Sequence, residues 1–225
     1  MIRGVIFDMD GVLCDSEALT AEAGCRMFAE TYGLRVEPGE FEPFIGTGED
    51  RYIGGVAEKR GVKLTMPRDK IRMYTIYGEI ARGKLQPLPG VRDFIAACRQ
   101  HGLKLAVASS ADLMKVEINL REIALPASTF DAVLTGADAI HKKPHPEIFL
   151  KAAERLQLSP GCCMVVEDAP SGVKAAKAAG CSCLGVTTSF GESTLYGAGA
   201  DTVAASLDQA TKRLKKSVDN AVCIL

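Results

Sequence analysis

Val5-Ile6-Phe7-Asp8-Met9-Asp10-Gly11-Val12 runs from three apolar residues straight into two carboxylates and a glycine. The apolar triplet reads as a strand buried on both faces, and the interior at its end has no cheap place for acids. A bare Asp-x-Asp pair is expected about once by chance in a chain of this composition. One that is preceded by three apolar residues and followed by glycine falls below roughly one in a hundred. Asp8 and Asp10 are two residues apart, which is the strand period, so both face one site at the carboxyl end of the strand, where open α/β sheets bind ligands. Close like charges raise a carboxyl pKa or recruit a divalent cation, and an all-oxygen set suits Mg²⁺. One acid can then act as nucleophile and the other as acid/base.

The rest of the chain bounds that chemistry. Its 225 residues suffice for one substantial core carrying a smaller unit, and 47% apolar with 24% charged residues is the composition of an ordinary folded protein. With a formal net charge of -1 and dispersed Lys and Arg, the chain has no electrostatic footprint for nucleic acid or an anionic membrane, so neither is expected as a partner. The eight cysteines (Cys14, Cys25, Cys98, Cys162, Cys163, Cys181, Cys183, Cys223) fall mostly in apolar segments without paired zinc spacing, and read as free thiols of a reducing compartment. A strand that begins within a few residues of Met1 leaves no room for a signal peptide, and no apolar stretch has the length of a membrane span. A cytoplasmic monomer is expected, with an organellar source left open. Val222-Cys223-Ile224-Leu225 lacks the cysteine four from the end that prenylation requires.

Segment 16–85 reads as an inserted helical unit. A first helix ends at Gly33, Gly46, Gly48 and Gly54-Gly55 read as punctuation, a last helix covers about Arg68 to Arg82, and Gln86-Pro87-Leu88-Pro89-Gly90 reads as a linker. From Val91 on, helices at 91–100, 112–123, 146–157 and 170–179 alternate with strands at 103–108, 131–134, 163–166 and 183–186. That alternation is the signature of parallel βαβ units. Gly102, Gly161 and Gly180 are placed to stop the helices. The fold class is therefore α/β, a doubly wound parallel sheet of segments 1–15 and 86–225 with a small inserted helical domain at 16–85. Lys212 to Lys216 reads as a solvated basic helix end.

Three further strand ends deliver polar groups. Val107-Ala108-Ser109-Ser110 puts a small hydroxyl before a helix, which is an anion site or simply an N-cap. Lys142-Lys143-Pro144-His145-Pro146-Glu147 offers Lys143 as a counter-charge able to grip a phosphoryl oxygen, while Lys142 reads as a surface residue. Val165-Val166-Glu167-Asp168 repeats the opening logic, and a cation shared with Asp8 and Asp10 explains both pairs of acids.

In that order, Asp8-Met9-Asp10-Gly11, Ser109, Lys143-Pro144 and Glu167-Asp168 resemble the four motifs of the haloacid dehalogenase superfamily, and the likeness spans the chain. The helical insert and Lys143-Pro144-His145-Pro146-Glu147-Ile148-Phe149 resemble most the branch of β-phosphoglucomutase and small sugar-phosphate phosphatases. Around Phe44-Ile45-Gly46-Thr47-Gly48-Glu49 the chain is also similar to the phosphatase-like domain of a large plant thylakoid protein. The resemblance implies a Rossmann-like core and a cap domain that closes over the site. It implies that Asp8 is phosphorylated, that Asp10 is acid then base, and that Ser109 and Lys143 hold the phosphoryl group. Mg²⁺ would be bound by Asp8, Asp10 through its carbonyl, Asp168 and Glu167. Substrate contacts are expected from Gly11, Ser110, Gly46, Arg51 and Lys70, with specificity around 46–51 and Tyr74–Tyr77, although those tyrosines equally suit the core of the insert. Thr20 stands where the mutase carries a cap histidine, and Glu49 where it carries an arginine for a distal phosphate. The expected function is a Mg²⁺-dependent phosphatase of a small phosphorylated metabolite, a sugar phosphate first. The alternatives are a phosphoglucomutase-type isomerase and a non-catalytic binding protein on the same fold.

Overall fold

The computed structural model describes residues 1–45 and 48–212. Strands β1 (Gly4–Phe7), β2 (Lys104–Ala108), β3 (Ala132–Leu134), β4 (Cys163–Glu167), β5 (Ser182–Val186) and β6 (Thr202–Ala204) pair in parallel, in the order β3-β2-β1-β4-β5-β6. The chain steps outward from β1 to β3 and then crosses back to lay β4 on the other side of β1. Ligand crevices open at such a reversal, outside the carboxyl ends of the strands. Phe7 is in register with Val107 on one side and Val166 on the other, so the residues that follow these strands emerge side by side.

Alternation along the strands builds two cores, one on each face of the sheet. Val5, Phe7, Leu105, Val107, Met164 and Val166 pack under α4 (Val91–Gln100) and α5 (Leu113–Glu122). Ile6, Ala106, Ala108, Cys163 and Val165 pack under α6 (Glu147–Arg155), α7 (Pro170–Ala178) and α8 (Glu192–Ala198). Seven cysteines among the described residues are free thiols, and Cys223 lies outside those residues, as do Arg213 to Lys216. No helix among the described residues is long and apolar enough to cross a membrane.

The insert consists of α1 (Glu17–Tyr32), α2 (Glu49–Arg60) and α3 (Arg68–Ala81). Gly33 ends α1 in the left-handed conformation, φ 63°, as its position predicts. Its two connections to the sheet lie side by side: Cys14 bridges Pro87, and the Leu88 amide donates to the Leu13 carbonyl at 3.0 Å.

Three expectations are corrected here. Gly54-Gly55 is not punctuation, because α2 runs through both, and a Cβ on Gly55 would stand 2.2 Å from the Phe44 ring. Gly161 does not stop the helix before β4. That helix ends at Arg155, and it is Gln157 that takes the left-handed turn at φ 57°. The sequence reading also stops short of α8 and β6, which are too brief to show a period.

Candidate active site

Asp8 follows β1 directly, and its amide donates to the Val166 carbonyl at 3.0 Å, which ties the β1 end to β4. Glu167 is the last residue of β4 and Asp168 the next. The carboxylate oxygens of Asp8, Glu167 and Asp168 lie within 4.8 Å of one another. Lys143 reaches into this group with its Nζ bound to Asp8, 2.6 Å from Glu167 Oε1 and 3.3 Å from the Ala108 carbonyl. Two glycines make the crowding possible. A Cβ on Gly11, whose φ is +80°, would stand 1.9 Å from Asp168 Oδ2, and one on Gly172 would stand 1.8 Å from Glu167 Oε1.

Three buried acids surround one buried ammonium among the described residues, and the protonation of Asp8 and Asp168 reflects their burial. Burial is the largest effect on Asp8 and pushes its carboxyl up to about 7, with Lys143 opposing and Glu167 and Asp10 adding. Burial, then Glu167 and Asp8, push Asp168 up to about 8, against a hydrogen bond from Ser189 Oγ at 2.5 Å. Burial disfavours the Lys143 ammonium, yet Asp8 and Glu167 outweigh it and hold the group above its usual range. An oxygen-only donor set carrying more negative charge than its lysine balances fits a hard divalent cation.

Asp10 belongs to a separate cluster. Its carboxylate accepts from Ser16 Oγ, from Asn119 Nδ2 at 3.2 Å and from Lys115 Nζ at 3.2 Å, and it is not one of the three acids that converge around Lys143. Lys115 and Asn119 lie four apart on α5, the spacing that puts two side chains on one helix face. Neither stands out in the sequence, because their burial depends on the packing of α3 against α5 and not on a local pattern. Ser16, at the N-cap of α1, and Ser189, in the loop after β5, carry no sequence pattern that points to the site.

Ser109 is buried at the end of β2. It does not cap α5, a position held by Asp112; its Oγ instead accepts from the Ala111 amide at 3.1 Å. A cavity of about 580 Å³ joins Asp8, Asp10, Ser109, Ser110, Lys115, Lys143, Glu167 and Asp168 to the insert, which contributes Glu17, Thr20, Glu42, Phe44 and Tyr52. Burial and the nearby Asp10 raise the Glu17 carboxyl.

Arg51 and Lys70 do not line this cavity. Arg51 Nη1 sits 2.7 Å from Glu58 with its guanidinium 5.1 Å from the Phe44 ring centroid, and Lys70 lies 2.6 Å from both Asp50 and Asp112. Tyr74 and Tyr77 are buried packing residues that join α3 to α5, donating to Asp112 at 3.2 Å and to Asn119 Oδ1 at 2.5 Å. Gly46, Thr47 and the Glu49 side chain lie outside what the structure describes.

Residues 2–180 match the family model described as haloacid dehalogenase-like hydrolase. The chain is 42% identical over 201 residues to the protein SUPPRESSOR OF QUENCHING 1, chloroplastic, of Arabidopsis thaliana, covering 88% of this chain but only 19% of that much longer relative. It is 35% identical to a phosphorylated carbohydrates phosphatase of Thermotoga maritima, covering 80% of this chain and 82% of that one. Among solved structures, CbbY from Rhodobacter sphaeroides in complex with phosphate superposes with a TM-score of 0.82 at 28% identity, covering 93% of this chain and 96% of that one. The chain belongs to the haloacid dehalogenase-like hydrolase family.

Proposed function

We propose that the chain is a Mg²⁺-dependent phosphatase of a small phosphorylated metabolite, a sugar phosphate first among them, working through an aspartyl-phosphate on Asp8. The observation that carries this reading is the division of labour between two strand-end carboxylates: Asp8 lies against Lys143 among converging acids, and Asp10 lies apart under neutral donors and Lys115. Phosphoryl transfer needs little beyond positioning and charge neutralisation, and this site is organised for both.

In the first step an Asp8 oxygen attacks phosphorus, the bond to the leaving oxygen breaks, and Asp10 supplies that oxygen with its proton. In the second, Asp10 takes a proton from water, the water oxygen attacks phosphorus, and the bond to Asp8 breaks to release phosphate and restore both acids. Ser109 and Lys143 hold the non-bridging oxygens throughout. Asp8 and Asp168, with Glu167 beside them, would hold Mg²⁺, which supplies neutralisation of the phosphoryl charge when bound. The insert acts as a cap, swinging on the paired connections at Leu13–Leu88 and excluding water from the cavity. Hydrolysis is favoured over isomerisation because the Thr20 hydroxyl, 2.9 Å from the Ser16 carbonyl, is bound back into its own helix start and brings no titrating group.

The test is phosphate release from a panel of sugar phosphates and an aryl phosphate, with Mg²⁺ and with chelator, for the wild type and Asp8→Asn. Metal-dependent release that Asp8→Asn abolishes is expected. Release that survives the substitution, or an isomerised sugar phosphate as the main product, refutes the proposal.

A further inference from the structure

Beyond the converging acids and Lys143, the cavity extends to the insert. On the insert side it is lined by Glu17, Glu42, Phe44 and Tyr52, and Phe190 faces them from the core. Lys143 and Lys115 are the cations that line the cavity among the described residues, and both already face carboxylates: Lys143 serves Asp8 and Glu167, and Lys115 serves Asp10. The cations of the insert nearest this region are engaged elsewhere. Arg51 pairs with Glu58, Lys70 lies between Asp50 and Asp112, and Lys59 sits 4.8 Å from the Phe44 ring centroid, and none of the three lines the cavity. Among the described residues, a second anionic group on a substrate would therefore meet Glu17 and Glu42 in the lining and no cation that is not already engaged.

Building on the phosphatase reading, we infer that Glu17 and Glu42 make this site selective for monophosphates of neutral, hydroxyl-bearing molecules and reject bisphosphates and phosphocarboxylates. A carboxylate accepts hydrogen bonds from hydroxyls and gives none, so the same two groups that repel an anion orient a polyol or a sugar. Phe44, Tyr52 and Phe190 supply flat apolar walls for the C–H faces of such a molecule. At separations of several ångström in a partly wetted site, each like-charge encounter is worth on the order of tenfold in affinity.

The experiment measures kcat/KM with saturating Mg²⁺ for glucose 6-phosphate and sorbitol 6-phosphate against phosphoglycolate and fructose 1,6-bisphosphate. The wild type should prefer the first pair by about tenfold or more, with the difference in KM rather than kcat. Glu17→Gln/Glu42→Gln should shrink that ratio, chiefly by lowering KM for the anionic pair. Equal or better turnover of the anionic pair by the wild type overturns the inference while leaving the phosphatase reading intact. A ratio unmoved in a double variant with native circular dichroism overturns the role of the two glutamates, and the wild-type ratio stands as the test if that variant does not fold. No release from any of the four substrates overturns the phosphatase reading itself.

Discussion

Among the described residues Lys143 is the single positive charge paired within the three converging acids, and the site's response to pH and to cations follows from that imbalance. Asp8 and Asp168 are raised to about 7 and about 8, above the ordinary carboxylate value they regain on unfolding. Between that ordinary value and pH 8 the folded protein binds more protons than the unfolded chain, so its stability falls as pH rises through this window. Cation-free protein should accordingly show a higher melting temperature at pH 6 than at pH 8.5, and millimolar Mg²⁺ should flatten that slope by favouring the ionised carboxylates. An identical slope in chelator and in Mg²⁺ would mean that the acids do not share a cation. Removing the ammonium is the sharper perturbation. Lys143→Met leaves Asp8 and Glu167 without counter-charge, and breaking a buried pair in this way costs about 3–5 kcal/mol. For a chain of this size that is roughly 10 °C in melting temperature, largest at alkaline pH where Asp8 cannot escape by protonation. Thermal scans of this variant at pH 6 and pH 8.5 decide the point.

The elements explain why some of these residues are legible in sequence and others are not. Asp8, Ser109, Glu167 and Asp168 each follow an apolar run, so a break in hydrophobicity marks them, and the parallel alternation says that such breaks share one edge of the sheet. Lys115 and Asn119 lie inside α5, where a polar residue normally means solvent. Only the packing of α3 against α5, which no local pattern encodes, shows that their face is buried. Arg51 and Lys70 show the converse, because charge on the insert suggests ligand contact in the sequence while neighbouring acids engage both side chains in the fold. In α2 the two adjacent glycines, indistinguishable in sequence, should separate in stability. Gly54 has open space where a Cβ would stand, so Gly54→Ala should stabilise by about 0.5–1 kcal/mol through helix propensity. Gly55→Ala drives a methyl into the Phe44 ring and should destabilise by about 1–3 kcal/mol despite the same gain in propensity. Urea unfolding of the two variants gives both signs directly, and equal shifts would contradict the close packing of Phe44 on α2.

At the scale of the whole molecule, the insert is held to the core by contacts that converge on α5. Lys70 and Tyr74 meet Asp112 at the start of that helix, and Tyr77 meets Asn119, which in turn donates to Asp10. Seating of the insert and orientation of Asp10, the acid/base of the proposed mechanism, are thus connected through two hydrogen bonds. The two contacts should separate experimentally, because one is a partly exposed ion pair and the other is a buried hydrogen bond. Lys70→Met removes charges that water already screens, worth about 1 kcal/mol at most, so global stability should hardly change. Hydrogen exchange should nevertheless quicken along α3 and at the Leu88 amide of the connection as the insert opens more often. Tyr77→Phe leaves the Asn119 oxygen buried without its donor, costs about 1–3 kcal/mol, and frees the asparagine to turn away from Asp10. Under the proposed mechanism its expected signature is a fall in kcat with KM little changed, since Ser109 and Lys143, proposed to hold the phosphoryl group, are untouched. If Tyr77→Phe instead raised KM and left kcat alone, the tyrosine would be seating the cap over substrate without any hold on Asp10.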